Sequence, residues 1–113
     1  MELKGDGLRL TVYIGESDHW DHRPLHEAIM LKARAEGIAG CTVFRGHAGF
    51  GAKSRIHKFE LLALSFDLPI VLEIVDTAEK VRAFLPAVEA MVDDGLVTVE
   101  PVEIHIYRHQ REK

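Results

Sequence analysis

The sequence predicts an α+β domain of order β-α-β-β-α-β, in which two helices cross between the strands of a mainly antiparallel sheet. Three observations carry this: an apolar/polar alternation from Leu8 to Ile14, two amphipathic helical repeats that each run up to a glycine, and two β-rich segments, residues 40–45 and 68–76, between them. That order is the ferredoxin-like arrangement. With 113 residues the chain has the length of one ordinary domain, and residues 1–113 are read as a single unit.

In the first strand Leu8, Leu10, Val12 and Ile14 alternate with Arg9, Thr11 and Tyr13, so one face is wholly aliphatic. The polar connection GESDHWDHR leads to Pro24, expected at the first helical position. Leu25, Ala28, Ile29 and Ala33 then recur at helical spacing before Gly37, a natural C-terminal stop. GCTVFR, residues 40–45, reads as the second strand, and LPIVLEIVD, residues 68–76, as the third. Asp76 and Thr77 offer helix caps, with Glu79 three residues after Asp76. Val81, Phe84, Leu85, Val88 and Val92 form the second helical stripe, closed by Gly95 and expected to kink at Pro86. LVTVE and VEIHIY, divided by Pro101, are expected to give a final strand and a short extra edge strand.

Composition narrows the function. Hydrophobic residues make up 47% and charged residues 28%, a balance that suits a folded soluble protein. The longest apolar run, LPIVLEIV, is far short of the roughly 20 residues that span a bilayer, and the N-terminus shows no export signal, so a cytoplasmic protein that is not membrane-inserted is expected. A net charge of -4 argues against nucleic acid as a partner. The lone Cys41, in the apolar stretch GCTVF, excludes an internal disulfide and reads as a core residue.

The second face of the sheet bears on assembly. If Leu10, Val12, Ile70 and Ile74 face the helices, the other face carries Tyr13, Phe44, Val71 and Val75 beside Thr11, Thr42 and Glu73. Such a face is too apolar to stand entirely in water, which predicts a homo-oligomer whose sheets pack face to face.

The candidate site is the start of the long connection between strands two and three, RGHAGFGAKSRIH. Gly46, Gly49 and Gly51 let backbone amides approach a ligand, Phe50 lies among them, and Arg45, Lys53, Arg55, His57 and Lys58 add positive charge to an acidic chain. Recognition of a phosphate or carboxylate is the matching hypothesis. The same composition also suits a plain solvated loop, and the pattern is neither a phosphate-loop nor a dinucleotide fingerprint. A second cluster, Glu16, Asp18, His19, Asp21, His22, His26 and Glu27, contains sensible metal ligands, with His22 and His26 on one helix face if the helix starts early. A solvated polar loop explains it better, and Trp20 within it reads as a packing anchor or subunit contact. Ser65, Asp67 and His57 can be drawn as a catalytic triad, but spacing alone does not support one; Asp67 reads as a turn former that accepts backbone hydrogen bonds. The chain reads as a non-enzyme. No cofactor is identified.

GLRLTVYIGESD, RPLHEAI, AGCTVFRGHAGFG, IHKFELLALSFDLPIVLEIVD and GLVTVE, in that order, resemble the uncharacterised family known as domain of unknown function 190, within the PII-like superfamily. The resemblance implies a ferredoxin-like subunit assembled as a homotrimer. It also implies that FRGHAGFGAKS is similar to the base of the PII signalling loop, which contacts nucleotide phosphates and 2-oxoglutarate, with Gly49, Phe50, Gly51 and, more loosely, Lys53 at the matching positions. PII proteins carry a second glycine-rich turn ending in lysine before the last strand. Here VDDGLVT stands in its place, short and acidic, so the resemblance does not extend to the PII grip on ATP. Arg108 and Arg111 loosely resemble the arginines that complete the PII nucleotide site. The implied role is a sensor of a small anionic metabolite or nucleotide at subunit clefts, with a fluoride-exporter-type membrane transporter as partner. The alternative is a metal-binding trimer like the copper-tolerance proteins of the same fold.

Overall fold

The computed structural model describes residues 2–51 and 67–109. Its elements are β1 (Glu2–Gly15), β2 (His19–Trp20), β3 (Arg23–Pro24), α1 (Leu25–Ala35), β4 (Cys41–Arg45), β5 (Pro69–Asp76), α2 (Ala78–Met91) and β6 (Leu96–Arg108). The main sheet has the strand order β4-β5-β1-β6, and every neighbouring pair is antiparallel. This is the predicted ferredoxin-like architecture, with β2 and β3 added as a small hairpin.

Alternation decides which face is covered. Leu8, Leu10, Val12 and Ile14 of β1 and Ile70, Leu72 and Ile74 of β5 are buried, and they pack with Leu25, Ile29 and Ala33 of α1 and Val81, Phe84 and Val88 of α2. The core is one layer of side chains between the sheet and the two described helices. Among the described residues no helix lies on the other face, and the ladder register aligns Phe44, Val71, Tyr13 and Leu96 in a single row across all four strands. Phe44, Tyr13 and Leu96 in that row are 49%, 43% and 54% exposed.

Helix ends follow local rules, with adjustments. Gly37 has a φ of +78°, its N–H donates to Arg34 O at 3.1 Å, and Ile38 N donates to Ala33 O at 3.0 Å, closing α1 as a Schellman turn. Pro24 is the residue before the helix rather than the first within it, and the leading N–H, that of Leu25, donates to Asp18 O at 2.8 Å. Thr77 alone caps α2, its Oγ accepting from Lys80 N, so the capping pair of Asp76 with Glu79 is not formed. Asp76 is 1% exposed and instead accepts from Ala39 N and Thr77 N, tying the entry of β4 to the entry of α2. The second helix ends at Met91, and Gly95 is not its left-handed stop.

The largest departures are in β1 and β6. Pro101 does not divide the last strand; β6 runs unbroken from Leu96 to Arg108, with Pro101 opposite Leu8. The strand is at a sheet edge, where a missing N–H is tolerated. Likewise β1 begins at Glu2 instead of Leu8. Its first residues pair only with β6, through an irregularity between Leu3 and Gly5, so the two strands continue past the body as a ribbon. The molecule is accordingly long, 58 × 25 × 22 Å.

Candidate functional site

The two ends of the connection between β4 and β5 meet beside the turn that follows β1. Gly46 N donates to Pro69 O at 2.6 Å, and Glu16 N donates to Leu68 O at 2.8 Å. Ser17 N donates to Asp67 Oδ1 at 3.1 Å, and Gly15 N to Asp18 Oδ2 at 3.0 Å. These bonds close the base of the connection from both sides. Arg45, the last residue of β4, completes the clasp: its Nη2 lies 3.0 Å from Glu16 Oε2 and 3.2 Å from Oε1.

A cleft of about 110 Å³ opens above this clasp, lined by Tyr13 and Gly15, by Asp18, by Gly49, Phe50 and Gly51, by Asp67 and Pro69, and by Asp94 and Gly95. Phe50 is 71% exposed at its rim. Three connections that are far apart in sequence therefore meet at one end of the sheet. The predicted glycines play different parts: Gly49 takes a φ of +153°, whereas a Cβ on Gly46 would lie 2.7 Å from Pro69 Cγ, so Gly46 is required by close packing. Gly95 is set in the same way against β1, where a Cβ would lie 2.6 Å from Tyr13 O.

Arg45, Gly46, Gly49, Phe50 and Gly51 are thus gathered at the cleft or its clasp, while Lys53, Arg55 and His57 lie outside the described residues. Charge is where the geometry departs from expectation. The side chains that line the described wall and carry charge are Asp18, Asp67 and Asp94, while Arg45 belongs to the clasp and not to the cleft lining, and is paired with Glu16. Sequence reading missed Tyr13, Glu16, Asp18, Asp94 and Gly95 as parts of this site. Their signal was positional: each lies at the same end of its strand as the candidate loop, which is visible only once the ladder register is known.

The histidine cluster is dispersed. Asp21 and His22 both have positive φ, 50° and 69°, and form the two-residue turn of the β2–β3 hairpin. The helix begins at Leu25, so His22 does not share a helix face with His26, and His19 Nδ1 is 2.6 Å from Ser17 O. Among the described residues no group of three or more His, Cys, Asp or Glu is placed to hold a metal ion. Trp20 on the hairpin is 41% exposed, beside the groove between α1 and α2 that Leu31 and Ala87 also line.

Asp67 accepts a backbone hydrogen bond, as predicted, but from Ser17 across the clasp rather than within its own turn. Ser65 and His57, the other members of the possible triad, lie outside the described residues. Arg108 pairs with Glu2 at the far end of β6, whose near end, Leu96, pairs with Tyr13 at the cleft. At about 3.3 Å per residue the strand sets them roughly 40 Å apart, so Arg108 does not reach its own chain's cleft. Arg111 is outside the described residues. Cys41 is half-buried at the start of β4, and burial pushes its thiol pKa up. No helix among the described residues is long and apolar enough to cross a membrane.

The model of the family described as "Uncharacterized ACR", domain of unknown function 190, matches residues 7–104. The chain belongs to this family. It is 35% identical over 95 residues to a UPF0166 protein of Aquifex aeolicus, covering 84% of this chain and 90% of that one. It is 31% identical over 100 residues to a UPF0166 protein of Methanocaldococcus jannaschii, covering 88% and 90%. In fold this family member is similar to CPII from Thiomonas intermedia K12. The structure of CPII bound to ADP, AMP and acetate matches with a TM-score of 0.57 and 20% identity, covering 88% of this chain and 89% of that one. That of CPII bound to ADP and bicarbonate matches with the same score and identity, covering 88% of each. The chain therefore has the PII-like fold that the motifs implied.

Proposed function

We propose that this protein is a PII-like regulatory subunit that binds a small anionic ligand, nucleotides included, at clefts between the subunits of a homotrimer in the cytoplasm. Ligand occupancy is read out through the 45–57 segment, whose order or conformation then controls docking on a partner, a membrane transporter by the family resemblance. The observation that carries this reading is the cleft itself. It gathers the glycine turn Gly49–Gly51, an exposed aromatic ring and the closed base of the long connection at one end of the sheet. Tyr13 lies both in the cleft and in the apolar row that no described helix covers, which supports a site completed by a neighbouring subunit. CPII, similar in fold, was solved with ADP and AMP, which makes adenine nucleotides the first ligands to test.

Isothermal titration against adenine nucleotides, cyclic nucleotides and 2-oxoglutarate tests the reading. Binding of at least one of these, weakened tenfold or more by Arg45→Ala, is the expected outcome. Silence across the panel, unchanged by that substitution, would overturn it.

A further inference from the structure

A groove of about 720 Å³ runs between α1 and α2, in the layer of the molecule opposite the apolar row of the sheet. Among the described residues it is open: Trp20 and Leu31 in its wall are 41% and 39% exposed, and its α2 side is built of Ala83, Pro86, Ala87 and Ala90. An apolar surface of this kind marks an interface. Charge decides what covers it. The charged side chains lining the groove are Asp21 and Arg23 at the end where α1 begins, and Lys32 and Glu36 at the end where α1 finishes. Each end holds one acid and one base, so the groove has no net charge with which to draw a nucleic acid, an anionic membrane or a strongly charged peptide. Turned end for end, the same four charges complement themselves. We propose that this helical face docks a second copy of itself about a two-fold axis, with Arg23 opposite Glu36 of the partner subunit and Asp21 opposite Lys32 of the partner subunit.

A two-fold axis makes every contact occur twice, so both ends are paired at once. The charges are available because their bonds within the chain are loose. Arg23 Nη1 lies 4.0 Å from Glu27 Oε1 and Lys32 Nζ 3.2 Å from Glu36 Oε2, all on side chains that are 38–49% exposed. Such pairs are screened by water and re-aim at little cost. The short side chains of α2 leave room between the helices for Leu31 of the partner subunit. One groove is a small contact, so the association is weak and forms at high concentration. It uses helices and not the sheet, and therefore stands whether or not the sheet face forms a trimer and whichever ligand the cleft takes.

Sedimentation equilibrium of the full chain from about 5 to about 500 µM tests the proposal. The sedimenting unit is expected to double in mass toward the upper end of that range, and to do so in Phe44→Glu as well. Arg23→Glu sets like charges opposite each other at both ends, and is expected to weaken the doubling about tenfold or more, as is Glu36→Arg. The double variant Arg23→Glu/Glu36→Arg restores it, and so does an equimolar mixture of the two single variants, since each again places opposite charges across the axis. Leu31→Ala leaves the charges alone and weakens the doubling by removing the side chain that enters the groove; circular dichroism checks the fold of every variant. A mass that stays constant over the whole range would overturn the proposal. Doubling that survives both Arg23→Glu and Leu31→Ala would also overturn it, because the contact then lies on another face. So would doubling that is lost in the single variants and returns in neither the double variant nor the mixture, since that excludes the two-fold pairing.

Discussion

Gly95 shows how tightly single residues are packed beside the candidate site. A Cβ there would lie 2.6 Å from the Tyr13 carbonyl oxygen and 3.1 Å from Ile14 Cγ2, and the backbone atom has no rotamer by which to give way. Gly95→Ala is expected to destabilise the protein by about 1–3 kcal/mol, measured as a lowered midpoint in urea with unchanged slope. Cys41 makes a gentler case. Burial disfavours its thiolate, which predicts alkylation by iodoacetamide at pH 8 slower than that of a free cysteine, with parity reached only on unfolding in urea. At this scale the residues that meet at the candidate cleft were half legible in the sequence. Gly46, Gly49, Phe50 and Gly51 stand out in RGHAGFGAKSRIH because glycines and an aromatic residue in a long connection are visible as composition. Glu16, Asp18 and Asp94 do not, since an acidic residue in a turn looks the same whether it faces water, a ligand or an arginine from another strand.

Among the elements, what was periodic was legible and what depended on a neighbour was not. The alternation in β1 and β5 and the stripes of α1 and α2 reappear as the buried core, residue for residue at Leu10, Val12, Ile70, Ile74, Val81, Phe84 and Val88. Pro101 misled because proline forbids a ladder bond only on the side where a partner strand lies, and which side is open is a property of the sheet, not of the segment. The ribbon of Glu2–Gly7 with β6 was missed for a related reason: KGDG contains no apolar alternation, and its strand character comes from pairing with Val102 and Ile104. Asp76 joins elements in a way that sequence shows only as a possible cap. Its two oxygens hold Ala39 N at 2.8 Å and Thr77 N at 2.6 Å in a buried position. Asp76→Ala leaves two donors without this acceptor, and a loss of about 2–4 kcal/mol is expected in chemical denaturation, with much of it recovered in Asp76→Asn, whose amide oxygen still accepts one bond.

At the scale of the whole molecule the decisive feature is the sheet face that none of the described helices covers. Phe44, Val71, Tyr13 and Leu96 form a continuous apolar row that crosses all four strands at the cleft end, beside a band of Thr42, Glu73, Thr11 and Thr98. In a lone subunit that row faces water at a cost of about 25 cal/mol for each Å² of apolar surface, whereas packing against another copy removes it from solvent. The proposed trimer is therefore expected to sediment at three times the chain mass, and Phe44→Glu to sediment as a monomer with an unchanged circular dichroism spectrum. Phe44 is the right probe because it lies in the row but not in the cleft lining, on an edge strand whose inward residues stay as they are. If ligand binding depends on assembly, the monomeric variant also loses affinity for whichever nucleotide the wild type binds, although every cleft residue of its own chain is intact. A wild-type protein that sediments as a monomer at micromolar concentration and still binds ligand would separate the cleft from the open face and overturn the intersubunit site.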